Sequence, residues 1–188
     1  TGTLNVELAL GDVTSDINLL QNAAVLNIDS QGVENHMHVF FAGGSVSRMN
    51  VKGTGVFGVD ENLASSFNQG RPVIIDASAN TGGLDVTLDN VGSDTYTHYN
   101  VKVIGTVADD EIAVKNIHTT ANNGKVVITA NDGDNTIVTD GSDIVNISSG
   151  IGNDTISANG GVNVTIDTGA GDDIISAKQI ASTATTLA

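Results

Sequence analysis

A fixed register in the C-terminal third restricts the fold more than any other feature of this sequence. Residues 131–137, 150–156 and 169–175 align at one constant step of nineteen positions. In each copy a glycine, then an aspartate or asparagine, then an isoleucine recur at every second position: Gly133, Asn135 and Ile137; Gly152, Asp154 and Ile156; Gly171, Asp173 and Ile175. An apolar pair keeps the same step in Val126 and Ile128, Val145 and Ile147, and Val164 and Ile166.

This register predicts stacked coils. Apolar residues two positions apart lie on one face of a strand, so each unit holds two short strands separated by turns. A strand pair of that size cannot bury its apolar face alone, and successive units must therefore stack. We predict an all-β fold, a right-handed parallel β-helix or β-roll solenoid with calcium-binding turns, whose coils lie about 4.8 Å apart. Antiparallel hairpins in a sandwich would not require one register across two different strands.

Weaker repeats extend the solenoid towards the N-terminus. Val101, Val103 and Ile112 match the apolar pattern of Val126, Ile128 and Ile137, but at a longer step of twenty-five positions, and residues 83–89 resemble residues 161–167. We predict a solenoid over residues 73–180, with its strongest repeats at 122–178. Residues 1–72 are expected to form a less regular β-rich segment, solenoid or sandwich-like, and residues 181–188 a flexible tail.

Composition excludes several classes of function. Seven basic residues against 22 acidic ones give a formal net charge of −15, which argues against nucleic-acid binding because that requires clustered Lys and Arg. The chain has no cysteine, so disulfides and thiolate metal sites are absent, and no apolar run reaches membrane-spanning length. Two arginines, two tyrosines and no tryptophan are too few for a saccharide-cleaving groove. We therefore predict that the protein is not an enzyme.

The stacked turns predict a cation site. Asn135, Asp154 and Asp173 are expected on one edge, with Asp134, Asn153 and Asp172 beside them. Carboxylates about 5 Å apart repel by roughly 3 kcal/mol at an effective dielectric near 20. A hard cation such as Ca²⁺, which accepts six to eight oxygen ligands, removes that repulsion. The competing interpretation is ordinary Asn/Asp/Gly turn chemistry without an ion.

Residues 150–156 (Gly-Ile-Gly-Asn-Asp-Thr-Ile) and 169–175 (Gly-Ala-Gly-Asp-Asp-Ile-Ile) resemble the G-G-x-G-x-D-x-U-x nonapeptide of RTX proteins, whose β-roll binds Ca²⁺ between turns. The resemblance implies side-chain ligation by Asp154 and Asp173. It implies backbone ligation by Gly150, Gly152, Gly169 and Gly171. Residues 131–137 form a diverged copy, which adds Asn131, Gly133 and Asn135 to the predicted site, and Asp172 lies beside Asp173. Asp143 fits half of the motif on the opposite edge, with Asn163 as its expected counterpart one turn later.

A broader resemblance covers residues 20–178. The segments 75–88, 25–32 and 49–55 are similar to Thr/Asn/Gly-rich segments of Gram-negative surface-layer proteins exported by type I secretion. The resemblance implies a structural protein that is secreted to the cell surface and assembles with copies of itself into a Ca²⁺-dependent lattice. A cell-surface polysaccharide is a further expected partner. Two alternatives stay open: an RTX adhesin module that binds a glycan or a host or biofilm ligand, and the β-roll of a secreted hydrolase.

Two other groups of residues favour ordinary structural roles. Residues 109–111 (Asp-Asp-Glu) are expected to form a solvated acidic loop rather than a diverged cation turn. His36 and His38 would face the same way on a strand, but no third ligand of that class is close in sequence. We predict no metal at either histidine.

Overall fold

Two parallel sheets run the length of the described chain. A computed structural model describes residues 5–11, 14–19, 25–41, 47–62, 72–89, 100–117, 124–179 and 186–187. Within these ranges there is no helix, and successive strands alternate between the two sheets. The nine-stranded sheet has the spatial order β1 (Asn5–Gly11), β3 (Val25–Gln31), β5 (Arg48–Gly53), β7 (Val73–Asn80), β9 (Asn100–Ile104), β11 (Lys125–Thr129), β13 (Ile144–Ser148), β15 (Asn163–Asp167) and β17 (Thr186–Leu187).

The second sheet has eight strands in the same sequential order. It contains β2 (Thr14–Leu19), β4 (Glu34–Phe41), β6 (Val56–Asn62), β8 (Leu84–Asp89), β10 (Glu111–Lys115), β12 (Thr136–Asp140), β14 (Thr155–Gly161) and β16 (Ile174–Gln179). Each coil therefore contributes one strand to each sheet, as expected for a β-solenoid. The predicted all-β class and the stacked parallel coils are confirmed.

The pairing register reproduces the sequence repeat. Lys125 pairs with Ile144 and Ile144 with Asn163, so the C-terminal coils keep the predicted step of nineteen. The longer step of twenty-five is also confirmed, because Asn100 pairs with Lys125. Towards the N-terminus the step varies from coil to coil. It is short where β1 pairs with β3 and longest where β7 pairs with β9, and this variation hides the period from inspection of the sequence.

The core lies between the two sheets. In β11 and β13 the residues alternate between buried and half-buried, and the buried members stack as Val126 on Val145 and Ile128 on Ile147. Burying each such side chain contributes about 1.5–3 kcal/mol. Larger side chains, among them Met37, Met49 and Phe57, fill the core of the N-terminal coils. The predicted column of Ile137, Ile156 and Ile175 is also present; Ile175 is 37% exposed because β16 is the last strand of its sheet.

The structure also locates the less regular segments of the sequence. Strands β1–β6 belong to the same two sheets, so the described part of residues 1–72 continues the solenoid. The proposed likeness of residues 83–89 to 161–167 is misleading, because β8 and β15 lie in different sheets. In the predicted tail, Thr186 and Leu187 pair with β15, and residues 181–185 and 188 lie outside the described residues. Within the described ranges no helix is long and apolar enough to cross a membrane.

Candidate functional site

Four turns stack along one corner of the solenoid. Each turn leads from the nine-stranded sheet to the eight-stranded sheet, at positions 105–110, 130–135, 149–154 and 168–173. We call this stack the acidic corner. The last two residues of each turn are Asp or Asn, and the strand register aligns them from coil to coil.

The last residue of each turn forms an inner ladder, made of Asp110, Asn135, Asp154 and Asp173. A side-chain oxygen of each member accepts a hydrogen bond from a backbone N–H of the preceding coil. Asp110 accepts from Leu84 N at 2.8 Å, Asn135 from Asp110 N at 3.1 Å, Asp154 from Asn135 N at 2.9 Å, and Asp173 from Asp154 N at 2.9 Å. Asp110, Asn135 and Asp154 are buried, and Asp173 is half-buried. The inner ladder thus satisfies backbone donors that would otherwise be buried without partners.

The fifth residue of each turn forms an outer ladder, made of Asp109, Asp134, Asn153 and Asp172. These side chains lie nearer to solvent than the inner ladder, and their hydrogen bonds run in the opposite direction. Asp109 accepts from Asp134 N at 2.8 Å, Asp134 from Asn153 N at 2.7 Å, and Asn153 from Asp172 N at 2.9 Å. The predicted alignment of the two rows at this corner is therefore confirmed.

Glycines allow these turns to approach each other closely. Gly152 has φ +144°, and a Cβ placed there would lie 2.1 Å from the carbonyl oxygen of Gly133. Gly171 has φ +148°, and its Cβ would lie 1.8 Å from the carbonyl oxygen of Gly152. Any side chain at these positions would push the coils apart.

The buried side chain of Asp154 differs from its neighbour Asn135 in one decisive atom. Asn135 Nδ2 donates to Gly133 O at 2.9 Å and to Ser149 O at 3.3 Å. In Asp154 the equivalent atom is Oδ2, a carboxylate oxygen that cannot donate when ionised. Asp154 is 1% exposed, and within the described part of the chain Oδ2 has no hydrogen-bond partner. A buried carboxylate oxygen without a partner costs free energy unless a proton or a cation reaches it.

Asp110 begins the inner ladder and is a residue that the sequence analysis missed. Its carboxylate also accepts from Thr106 N at 2.9 Å and Thr106 Oγ1 at 2.8 Å. Burial raises the pKa of Asp110 to about 6, and hydrogen bonds from Thr106 and Leu84 limit the rise. The prediction of a solvated acidic loop is wrong for Asp110, which is 3% exposed. The longer step that relates Asp110 to Asn135 was the available signal, because their strands β10 and β12 pair in register.

Asp143 lies apart from the acidic corner, in the turn between β12 and β13. It is buried, and its Oδ2 accepts from Gly124 N at 2.8 Å. The residue in register one coil later is Val162, not Asn163, because Ile144 pairs with Asn163. The Asp143 carboxylate therefore has no acidic or amide counterpart in the next coil.

The other predicted ligands lie together at the acidic corner. Asn131 has φ +72°, and its Nδ2 donates to Gly105 O at 2.9 Å. The carbonyl oxygen of Gly150 accepts from Ala170 N at 3.0 Å. The corner holds Asn131, Gly133, Asn135, Gly150, Gly152, Asp154, Gly169, Gly171, Asp172 and Asp173. In the described ranges no group of three or more His, Asp or Glu side chains converges on one point.

The histidine pair is separated from this corner. His36 lies on β4 of the eight-stranded sheet, and its Nε2 is 3.1 Å from Asp60 Oδ2. Its ring covers Gly58, where a Cβ would lie 2.3 Å from Nδ1. The side chain of His38 lies outside the described residues.

Comparisons with known proteins leave the fold as the main guide. No protein-family model matches the chain, and neither a curated protein nor a solved structure matches it significantly.

Proposed function

We propose that the chain is a structural, calcium-binding segment of a secreted bacterial surface-layer protein that assembles into a cell-surface lattice when Ca²⁺ is present. The β-solenoid supports a structural role of the β-roll kind. The observation that carries the calcium part of the proposal is the buried Oδ2 of Asp154, which has no partner among the described residues.

The donor set around Asp154 fits a hard cation. The C-terminal register places Gly152 and Thr168 at the positions that Gly133 and Ser149 occupy around Asn135. In the coil of Asn135 an amide donates to those carbonyl oxygens. In the coil of Asp154 a carboxylate oxygen takes the place of that donor. Without a cation, this oxygen would face the carbonyl oxygens of Gly152 and Thr168. Ca²⁺ accepts both carboxylates and backbone carbonyls, whereas Mg²⁺ retains its waters and requires strict octahedral geometry.

Calcium binding would make folding depend on the Ca²⁺ concentration of the compartment. The chain carries a net charge of −15, and its coils align Asp or Asn at every described turn of the acidic corner. Without a cation, repulsion between the carboxylates opposes stacking. A cation that binds only the folded chain stabilises it by RT ln(1 + [L]/Kd), about 2.7 kcal/mol at a hundredfold excess over Kd. A chain of this kind would stay unfolded where Ca²⁺ is scarce and fold after export.

The test of the calcium site is an Asp154→Asn substitution, which recreates the side chain of Asn135. Isothermal titration of the full chain with Ca²⁺ should lose the tightest binding event in this variant. Asp132→Asn is the matched control, because Asp132 belongs to the same corner outside both ladders and the charge change is identical. The control should bind Ca²⁺ like the wild type. If Asp154→Asn also binds like the wild type, the calcium site is not at Asp154.

A groove on the nine-stranded sheet favours one second candidate function, a glycan-binding adhesin module. The groove has a volume of about 540 Å³ and lies across β3, β5 and β7, with Asn27, Asn50, Lys52, Asp76 and Ser78 in its walls. The pairing of β5 with β7 is irregular between Asn50 and Lys52, next to the groove. Its charges balance, since Arg48 pairs with Asp76 and Lys52 with Asp29. Binding of neutral oligosaccharides by a monomer, lost in Asn50→Ala, would favour this candidate.

A further inference from the structure

Two patches on opposite outer faces of the solenoid carry opposite charges. On the nine-stranded sheet, strands β9, β11 and β13 contain two lysines and no acid, in a chain with only seven basic residues. We call their outward side chains the lysine face. It consists of polar, aliphatic and basic side chains, chiefly Lys102, Ile104, Lys125, Val127, Ile144 and Asn146.

Within the described residues, no acid pairs in register with the lysines of this face. Lys102 pairs in register with Ile74 and Val127, and Lys125 with Asn100 and Ile144. In the described part of the chain neither lysine forms an ion pair, whereas Lys52 on the same sheet pairs with Asp29 at 3.3 Å. The branched side chains of Ile104, Val127 and Ile144 are half-buried on this outward surface. Such a surface combines charge and apolar area, as protein interfaces do.

The opposite sheet presents acids that crowd one another. Glu34 on β4, Asp60 on β6, Asp85 on β8 and Glu111 on β10 point outward; we call them the acidic face. Asp85 and Glu111 pair directly in register. Burial raises the pKa of Asp85, the charges of Glu111, Asp60 and Glu34 raise it further, and His36 opposes the shift. The His36 ring is within hydrogen-bond distance of Asp60 at this face, and in the described part of the chain neither Asp85 nor Glu111 forms an ion pair.

We propose that the lysine face of one copy docks on the acidic face of a second copy. This inference rests on the proposed assembly role, for which it names the contact. The three strands of the lysine face, at ~4.8 Å per strand and with ~5 residues of ~3.3 Å in each, cover roughly 240 Å². A standard interface buries ~800 Å² on each partner, so the lysine face is the charged centre of the contact and neighbouring strands of the same sheet supply the remaining area. Because the two faces differ, each copy has one of each free, and the contact generates an open array rather than a closed dimer.

The experiment is a charge swap in the full chain with saturating Ca²⁺, followed by sedimentation equilibrium. The wild type should associate, and the association should weaken as NaCl rises from about 0.05 to 0.5 M. Lys102→Glu with Lys125→Glu should weaken it by about tenfold or more, as should Asp85→Lys with Glu111→Lys. An equimolar mixture of the two double variants should recover association, because their reversed faces are complementary.

The matched control is Lys178→Glu, compared with Lys102→Glu alone, because it changes the net charge equally but lies on β16, three strands away from β10 at the end of the eight-stranded sheet. Lys178→Glu should associate like the wild type, and Lys102→Glu should associate more weakly. If the two single variants have the same effect, or if the mixture of the double variants fails to recover association, the docking proposal is wrong. A wild type that stays monomeric overturns it as well, even if that monomer binds dextran sulfate through Lys102 and Lys125, which would assign the lysine face to a polyanion.

The outcomes separate this inference from the proposed function. Association that ignores the charge swap but requires Ca²⁺ overturns the docking mode and keeps the calcium-dependent assembly. If the charge swap changes association as expected in a chain that binds no Ca²⁺, the docking mode is kept and the calcium-dependent assembly is overturned.

Discussion

Two stretches of the same corner use different side chains to form hydrogen bonds with buried backbone groups. In the described part of the N-terminal coils, the buried polar residues at this corner are neutral. Asn80 Nδ2 donates to Gly55 O at 3.0 Å, its Oδ1 accepts from Gly82 N at 2.6 Å, and Asn35 Nδ2 donates to Ser30 Oγ at 2.8 Å. In the C-terminal coils the inner ladder uses Asp110, Asp154 and Asp173 for the same purpose.

The presence of amides at equivalent places shows that carboxylates are not needed to hold the coils together. An amide satisfies both a backbone donor and a backbone acceptor, as Asn80 and Asn135 do. A carboxylate satisfies only donors and adds a buried charge. The acids of the C-terminal coils therefore weaken the ion-free fold. The proposed cation, which the neutral coils do not require, would offset that cost.

The largest effect is expected from glycine replacement at the acidic corner. Gly152→Ala should cost about 4 kcal/mol of unfolding free energy or prevent folding, because it combines a left-handed φ with contact on Gly133 O. Gly82→Ala in the neutral coils meets Thr54 O at 2.3 Å without a left-handed φ, and should cost less. Chemical denaturation measures both, with Gly11→Ala as the control, since no atom of the described residues lies within 4 Å of a Cβ at this position. An equal loss of unfolding free energy in Gly152→Ala and Gly11→Ala would contradict the close stacking of the turns.

The next effect is a pH dependence that Asp110 should contribute at the acidic corner. The folded pKa of Asp110 is raised from 3.8 to about 6, so the folded chain binds this proton more tightly than the unfolded chain. Its contribution to stability is therefore fully present below about pH 4 and is lost as pH rises through 6, on the order of 2–3 kcal/mol in total. The unfolding free energy of the wild type minus that of Asp110→Asn, measured without Ca²⁺, should fall over this range. A difference that stays constant or rises would show that Asp110 is not a buried acid.

Exchanging amide and carboxylate between the two stretches should change stability in opposite directions. Asn80→Asp places a carboxylate oxygen where an amide now donates to Gly55 O, and should cost about 2 kcal/mol. Asp154→Asn should instead stabilise the calcium-free chain by about 1 kcal/mol, because an amide replaces the unpartnered Oδ2. Thermal unfolding in the presence of a chelator measures both. Destabilisation by both exchanges would mean that the two stretches do not differ in the way described.

The sequence predicts the regular coils well and the irregular ones poorly. Ile128, Ile147 and Ile166 stack as predicted because their coils repeat without insertion. For residues 1–72 the sequence left a solenoid and a sandwich-like segment both open, because the unequal steps of the N-terminal coils leave no common period, although β3 and β8 keep their alternation of buried and outward residues.

At the candidate site, the spacing identified Asp154, but not which of its oxygens accepts a backbone N–H. That assignment depends on how closely the preceding coil approaches, which the order of residue types does not encode. The burial of Asp110 was not predicted, because charged residues are usually exposed to solvent. Its burial depends on contacts with Thr106 and the adjacent coils.

The most direct measurement is anomalous diffraction at a long X-ray wavelength from crystals grown with Ca²⁺. The account predicts a calcium peak at about 2.3–2.6 Å from Asp154 Oδ2, between the turns 149–154 and 168–173. Calcium bound only at acids of the outer ladder such as Asp134 and Asp172, with Asp154 Oδ2 still lacking a metal, would contradict it.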